Sequence, residues 1–230
     1  MFAWFYDALK ERGLTLNDRQ IAQFDIYATF LLAKNQVMNL TAIDTVEGVW
    51  RKHFLDSLAL ANLPGMPNAS LLDVGSGAGF PSLPLKILYP ELNVTIVDAL
   101  RKRIDFLEEL VSKLSLPGVE LIHGRAEELD RHEHYDYVSA RAVARLNVLL
   151  ELCLPWAKVG GAFVAMKGVD VAEELSESKT ALSTLGGKQE TVMPYSIGEE
   201  QTHALVIVRK IKATPVKYPR AFAKIKNNPL

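Results

Sequence analysis

Leu71-Leu72-Asp73-Val74-Gly75-Ser76-Gly77-Ala78-Gly79 reads as an apolar strand that ends in an acid and opens into alternating glycines. Glycine tolerates positive φ and has no Cβ to hold a ligand off the backbone, and the segment that follows can supply a helix N-terminus beneath the loop. Such a turn can cradle a small molecule, and its spacing limits which one. A dinucleotide loop wants G-x-G-x-x-G, whereas here the glycines occupy positions 75, 77 and 79 and position 80 is Phe. No G-x-x-x-x-G-K-[ST] occurs, which excludes a P-loop. A tight strand-to-helix turn in any α/β protein is the competing reading.

The next strand strengthens the ligand reading. Val94-Thr95-Ile96-Val97-Asp98 is a β-branched run ending in an acid 21 residues past Gly77, near the spacing of about 20 at which such folds set a carboxylate on ribose hydroxyls. Asp98 can accept two charge-assisted hydrogen bonds from vicinal hydroxyls, each contributing roughly 1.5–3 kcal/mol. It can also cap the helix that starts near Leu100. One turn can serve both purposes.

Outward from this pair, the pattern changes at Pro64-Gly65-Met66-Pro67. The 65 residues before it read as helices: Ile21, Phe24, Ala28 and Leu31 form one stripe, and Val46, Val49, Trp50, His53, Phe54, Ser57, Leu58 and Ala61 a second. Asp44 and Glu47 have the spacing of a cap and its reciprocal partner. His53, with Asp56 one turn later, reads as a hydrogen-bonded core histidine rather than a catalytic base. After the change, strands expected near 70–74, 93–97, 119–123, 135–139, 161–166, 189–193 and 203–209 alternate with helices near 80–89, 100–114, 143–156 and 170–185. That order implies an α/β fold with a seven-stranded, mostly parallel sheet. Gly186-Gly187 ends the last of these helices. The final two strands have no helical pattern between them, so at least one runs antiparallel. The chain divides into a helical extension (1–65), an α/β domain (66–210) and a basic tail (211–230).

Bulk properties narrow the class. With 230 residues, 49% of them hydrophobic, and a net charge of −1, the chain can bury a sizeable core. Cys153 is the sole cysteine and lies in the apolar run Leu149-Leu150-Glu151-Leu152-Cys153-Leu154, which excludes a disulfide framework or a cysteine metal cluster. No metal is expected. Met-Phe-Ala-Trp-Phe-Tyr-Asp lacks the basic and apolar regions of an export signal, and no stretch reaches 18 consecutive apolar residues; a soluble, cytoplasmic protein with no membrane partner is expected. Charge is uneven: residues 201–230 carry Arg209, Lys210, Lys212, Lys217, Arg220, Lys224 and Lys226 with no acid, while acids are common between Glu173 and Glu200. The basic tail suggests an anionic partner.

The spacing D-x-G-x-G-x-G from Asp73 resembles the first motif of Rossmann-like class I methyltransferases that use S-adenosylmethionine, and the antiparallel ending suits that variant better than a dehydrogenase. Further landmarks run along the chain: Asn39-Leu40-Thr41, Lys52-His53-Phe54-Leu55-Asp56-Ser57, Phe80-Pro81, Arg101-Lys102-Arg103, Arg125-Ala126-Glu127-Glu128, Ser139-Ala140-Arg141-Ala142-Val143-Ala144, Met166-Lys167-Gly168 and Tyr218-Pro219-Arg220. The series resembles the ribosomal RNA small subunit methyltransferase G family, also called glucose-inhibited division protein B, over nearly the whole chain. The resemblance implies methyl transfer from S-adenosylmethionine to N7 of one guanine of 16S ribosomal RNA, giving 7-methylguanosine. It also implies cofactor contacts at Gly75, Phe80, Ala126, Glu127 and Arg141, beside Gly77 and Gly79 of the loop and the ribose acid Asp98. Arg141 pairs with the methionine carboxylate or holds RNA; a sheet-edge salt bridge is its structural alternative. The family's tail often continues Tyr-Pro-Arg with Lys, Gly and Pro, where this chain has Ala221-Phe222-Ala223-Lys224.

Guanine N7 is an unprotonated lone pair, so its methylation needs alignment and no general base. This agrees with the absence of an Asn/Asp-Pro-Pro-Tyr/Phe motif and of a Pro-Cys nucleophile; no catalytic proton-transfer residue is nominated. Phosphate contacts are expected from the tail, Arg51, Lys52, Arg101 to Arg103 and Arg145, with 16S ribosomal RNA, naked or in the small subunit, as partner and no DNA. The alternative is a methyltransferase acting on a small molecule. A nicotinamide oxidoreductase lacks its loop here, and a non-catalytic sensor of S-adenosylmethionine is separated only by turnover.

Overall fold

All seven expected strands form: β1 (Ser70–Val74), β2 (Asn93–Asp98), β3 (Val119–His123), β4 (Tyr135–Arg141), β5 (Ala157–Gly168), β6 (Gly187–Ser196) and β7 (Thr202–Lys210). The structure, a computed structural model, describes residues 2–141, 144–198 and 202–230. Ala142 and Val143 of the Ser139–Ala144 motif lie outside the described residues, as does Glu200. Among the described residues the strands form one seven-stranded sheet in the order β3-β2-β1-β4-β5-β7-β6. Every pairing from β3 to β5 is parallel, and β7 runs antiparallel to both β5 and β6. The mostly parallel sheet with an antiparallel final strand is the expected one. β7 also inserts between β5 and β6, an order that no local pattern announces.

The helices are α1 (Ala3–Glu11), α2 (Asp18–Met38), α3 (Val46–Val49), α4 (Ser82–Leu88), α5 (Arg101–Leu114), α6 (Leu146–Cys153), α7 (Ala172–Glu177), α8 (Lys179–Leu185) and α9 (Phe222–Asn227). The single helix expected over 170–185 is broken at Ser178, a buried residue whose hydroxyl donates to the Glu174 carbonyl at 2.6 Å. Both faces of the sheet are covered, as parallel strands require. The period of two in β1 sends Leu71 into a cluster shared with the N-terminal helices, α4 and α5, and Leu72 into an opposite cluster with α6 and the tail.

The N-terminal helices reach the site through a run of aromatic rings. A reciprocal cap starts α2: Asn17 Oδ1 accepts from the Gln20 N–H at 3.0 Å and Gln20 Oε1 from the Asn17 N–H at 2.9 Å. At α3 the cap is Thr45, whose Oγ1 accepts from the Gly48 N–H at 3.2 Å, and Asp44 does not serve as expected. Extended backbone at Thr45 (φ −113°, ψ 147°) aims its hydroxyl along the helix. A Cβ at residue 48 would stand 2.8 Å from that oxygen, so the glycine makes the cap possible. The helix then widens to a π-helical turn over Trp50–Leu55. Trp50, Phe54 and Leu58 of the expected stripe are buried, whereas Val46 at its start is exposed. Ring contacts lead from Phe5 to Trp50 (centroids 4.8 Å apart), Phe24 to Phe54 (4.9 Å) and Tyr27 to Phe80 (5.3 Å). Each such pair contributes about 0.5–1.5 kcal/mol beyond its buried area. Helical residues of the first segment thereby fix a ring of the glycine loop.

Candidate active site

β1 has β2 on one side and β4 on the other, so the strand order reverses at its carboxyl end, the place where open α/β sheets bind ligands. A cavity of about 470 Å³ lies there, within the usual range for small-molecule sites. Gly75 and Gly77 take φ of 70° and 62°. A Cβ on Gly77 would meet nothing within 4 Å, so that glycine leaves open space. Gly79 (φ 100°) has a different role: a Cβ there would stand 2.7 Å from both the Tyr27 hydroxyl and Leu83 Cδ1. The Tyr27 hydroxyl donates to the Ala78 carbonyl at 2.6 Å, so Gly79 lets α2 brace the loop from behind.

Gly75, Gly77, Phe80, Asp98, Ala126, Glu127 and Arg141 all line the cavity; Gly79 does not. Asp98 is buried, and its carboxylate holds the turn together: Oδ2 accepts from the Gly77 N–H at 3.2 Å and from the Arg103 guanidinium at 3.1 Å, and Oδ1 from the Leu100 N–H at 2.9 Å. The bond to Leu100 is the local turn-capping role the sequence allowed. Asp73 lies deeper. It accepts from the Ser82 N–H at 3.1 Å and the Ser139 hydroxyl at 3.3 Å. Burial raises its pKa to about 6 against the opposing pull of Ser82, Arg141 and Ser139.

Phe80 is clamped. Tyr27 stacks on it with an interplanar angle of 5°, the His53 ring lies 4.4 Å away, and the Arg141 guanidinium sits 4.9 Å from the ring centroid. Arg141 also donates to Asp56 at 2.9 Å and to the Lys52 carbonyl at 3.1 Å, and approaches His53 Nδ1 at 3.1 Å. The salt-bridge alternative for Arg141 therefore holds together with its place in the cavity wall. His53 makes a 2.8 Å contact with the Thr41 hydroxyl. Burial first, and the Arg141 charge second, lower its pKa to about 3. It is the hydrogen-bonded histidine the sequence suggested, yet it faces the cavity.

A second cavity, of about 400 Å³, shares His53 and Arg141 with the first and extends to Lys52, Asp56, Tyr195 and His203. Asp56 is its buried hub, accepting from Arg141 (2.9 Å), the Tyr195 hydroxyl (2.7 Å) and His203 Nδ1 (2.8 Å). Burial, then the Asp56 charge, raises the Tyr195 pKa, so the phenol keeps its proton and donates it. Sequence reasoning missed Tyr195 and His203 because they reach the site only through the β6–β7 pairing. It also missed Phe222 and Arg103 as cavity residues.

The first cavity fits S-adenosylmethionine. Buried Ser76 Oγ, on its wall, has no hydrogen-bond partner, the Gly77 cradle is open, and the wall offers an acid (Asp98), a cation (Arg141) and the apolar Leu100, Ala126 and Leu152. Among the described residues no cluster of His, Cys, Asp or Glu could hold a metal ion, and buried Cys153 is core.

Comparison with known proteins agrees with this picture. The fold is similar to a SAM-dependent methyltransferase from Aquifex aeolicus (TM-score 0.57, 18% identity, 74% of this chain and 96% of that one). It is also similar to M. jannaschii TYW2 in complex with AdoMet (TM-score 0.57, 14% identity, 68% and 75%). The fold is thus the Rossmann-like class I methyltransferase fold. In sequence, the chain is 49% identical over 232 residues to the ribosomal RNA small subunit methyltransferase G of Exiguobacterium sibiricum, covering 98% of each chain. It is 50% identical over 222 residues to that of Bacillus cytotoxicus, covering 94% of this chain and 93% of the relative. A sequence model of the family described as rRNA small subunit methyltransferase G matches residues 20–204, and the chain belongs to that family.

Proposed function

We propose that this protein transfers a methyl group from S-adenosylmethionine to N7 of a guanine in 16S ribosomal RNA, giving 7-methylguanosine. The observation that carries the reading is the pair of adjoining cavities that share the His53 and Arg141 walls. One is built for a nucleoside-bearing cofactor and the other is open to a base.

The cofactor supplies an activated methyl group on sulfur. Asp98 would accept hydrogen bonds from its ribose hydroxyls, Arg141 would pair with its carboxylate, Gly75 and Gly77 would admit it to the backbone, and Phe80, Ala126 and Glu127 would line its length. Beside the second cavity Lys52 is an exposed cation, complementary to the O6 acceptor of guanine's edge, while Asp56 holds Arg141, Tyr195 and His203 in its wall. His53 stays neutral and Tyr195 stays protonated, so these groups position and exclude water without moving a proton. That suits a nucleophile with a free lone pair.

RNA approaches over exposed cations. Arg220, Arg145, Arg103 and Arg51 are held by Glu151, Glu177, Asp98 and Glu47 respectively. Lys52, Arg101, Lys217, Lys224 and Lys226 are exposed, and among the described residues none of them is in an ion pair. These carry the phosphate contacts. No helix among the described residues is long and apolar enough to cross a membrane, and the protein works in the cytoplasm on naked RNA or the small subunit. Labelled methyl transfer to undermethylated 16S RNA tests the proposal against a small-molecule substrate.

A further inference from the structure

Residues 211–230 turn back from the last strand and lie across the sheet face that carries α6. Tyr218 and Ile225 are buried in that face's cluster. Between them, the Arg220 side chain donates two hydrogen bonds to the Glu151 carboxylate, at 2.7 and 2.6 Å, and the Arg220 backbone N–H adds a third at 2.9 Å. Glu151 has no exposed surface, so the tail is latched to the middle of α6. The latch fixes α9, and Phe222 at its start lies in the wall of the larger cavity together with Leu152, the neighbour of Glu151. The Arg125 guanidinium lies 5.4 Å from the Phe222 ring centroid, which places the ring beside Arg125 and Ala126 of the same wall.

We propose that Phe222 is a cofactor-binding residue: the latched tail closes the Ala126 side of the cavity and packs its ring against the adenosine part of S-adenosylmethionine. This rests on the cofactor reading above. A ring in this position contributes by stacking on a purine, an interaction whose removal costs about 5- to 150-fold in affinity where nucleobases stack on aromatic side chains. Phe222 itself is half-buried, and the latch bonds run between Arg220 and Glu151, so truncation of the ring removes none of them.

Calorimetric titration of S-adenosylmethionine into the full chain, as wild type, Phe222→Ala and Phe222→Tyr, tests it, with hydrogen exchange of residues 218–228 measured in the wild type with and without S-adenosylmethionine. The expected result is a Kd raised about 10-fold in Phe222→Ala, near wild type in Phe222→Tyr, and slower exchange of the tail when the cofactor is bound. Wild-type affinity in a folded Phe222→Ala overturns the proposal while leaving the cofactor reading standing. Should Phe222→Ala fail to fold, unchanged tail exchange in the wild type overturns it. A wild-type chain that does not bind S-adenosylmethionine overturns both.

Discussion

Gly77 and Asp98, 21 residues apart in sequence, meet at the carboxyl edge of the sheet, where the Gly77 N–H donates to Asp98 Oδ2 at 3.2 Å. The acid that reads as the ribose acceptor therefore also holds the glycine loop in shape. Asp98→Ala removes both functions and is expected to weaken S-adenosylmethionine binding by about 100-fold or more, the scale of two charged hydrogen bonds. Asp98→Asn keeps one acceptor oxygen and falls between. Calorimetry on folded variants measures this, and wild-type affinity in Asp98→Ala would contradict the assignment.

Acid stability has two opposed contributions. His53 has its pKa lowered by burial to about 3, below its ordinary value of about 6.5, so between those values the unfolded chain binds the extra proton and stability rises with pH. Asp73 has its pKa raised by burial to about 6, above its ordinary value of about 3.9. Across that interval the folded chain binds the extra proton, and stability falls with pH. Between about pH 4 and 6 the two slopes cancel, each about 1.4 kcal/mol per pH unit. In His53→Gln only the Asp73 slope survives, so the stability difference between wild type and variant grows by about that amount per unit from pH 4 to 6. Denaturant titrations at several pH values measure it; a difference independent of pH would refute a neutral, buried His53.

Much of this frame was legible in the sequence because strands and glycine loops are local signals. The seven expected strands, the acid-to-glycine turn and the second acid at Asp98 each announce themselves within a few residues. What was not legible depends on distant partners. Glu151 in an apolar helix gives no hint of Arg220, 69 residues away. The choice between Asp44 and Thr45 as cap turned on backbone angles at one residue. The insertion of β7 between β5 and β6, which brings His203 to Asp56, is a matter of sheet order, which hydrophobic pattern leaves free.

The Glu151–Arg220 latch gives a stability prediction of its own. Arg220→Leu leaves a fully buried carboxylate without its partner, and removal of one member of a buried pair costs about 3 kcal/mol or more. Glu151→Leu with Arg220→Leu recovers part of that loss, because the two apolar side chains need no partner, although the residue 220 backbone N–H loses its acceptor. Urea denaturation of the single and double variants checks both. A neutral Arg220→Leu would show that the pair contributes no stability.

With Arg220 engaged, the tail's share of the salt dependence of RNA binding falls to its exposed lysines. Replacing Lys217, Lys224 and Lys226 with Gln should lower the slope of log K against log salt by about 2, at about 0.7–0.9 for each phosphate that no longer meets a cation. Binding isotherms between low and moderate salt give the slope, and no change would remove the tail from the RNA interface.

Methylation of guanine N7 is reached directly by one experiment. Undermethylated 16S RNA, naked and in small subunits, is incubated with the protein and S-adenosylmethionine labelled on its methyl group, then treated with borohydride and aniline, which cut the chain at 7-methylguanosine. Label in the RNA and cleavage at a single guanine are the expected result. Label with no cleavage would place the methyl group on another atom, and no label on either form, with S-adenosylmethionine still bound, would contradict an RNA substrate and favour a small molecule.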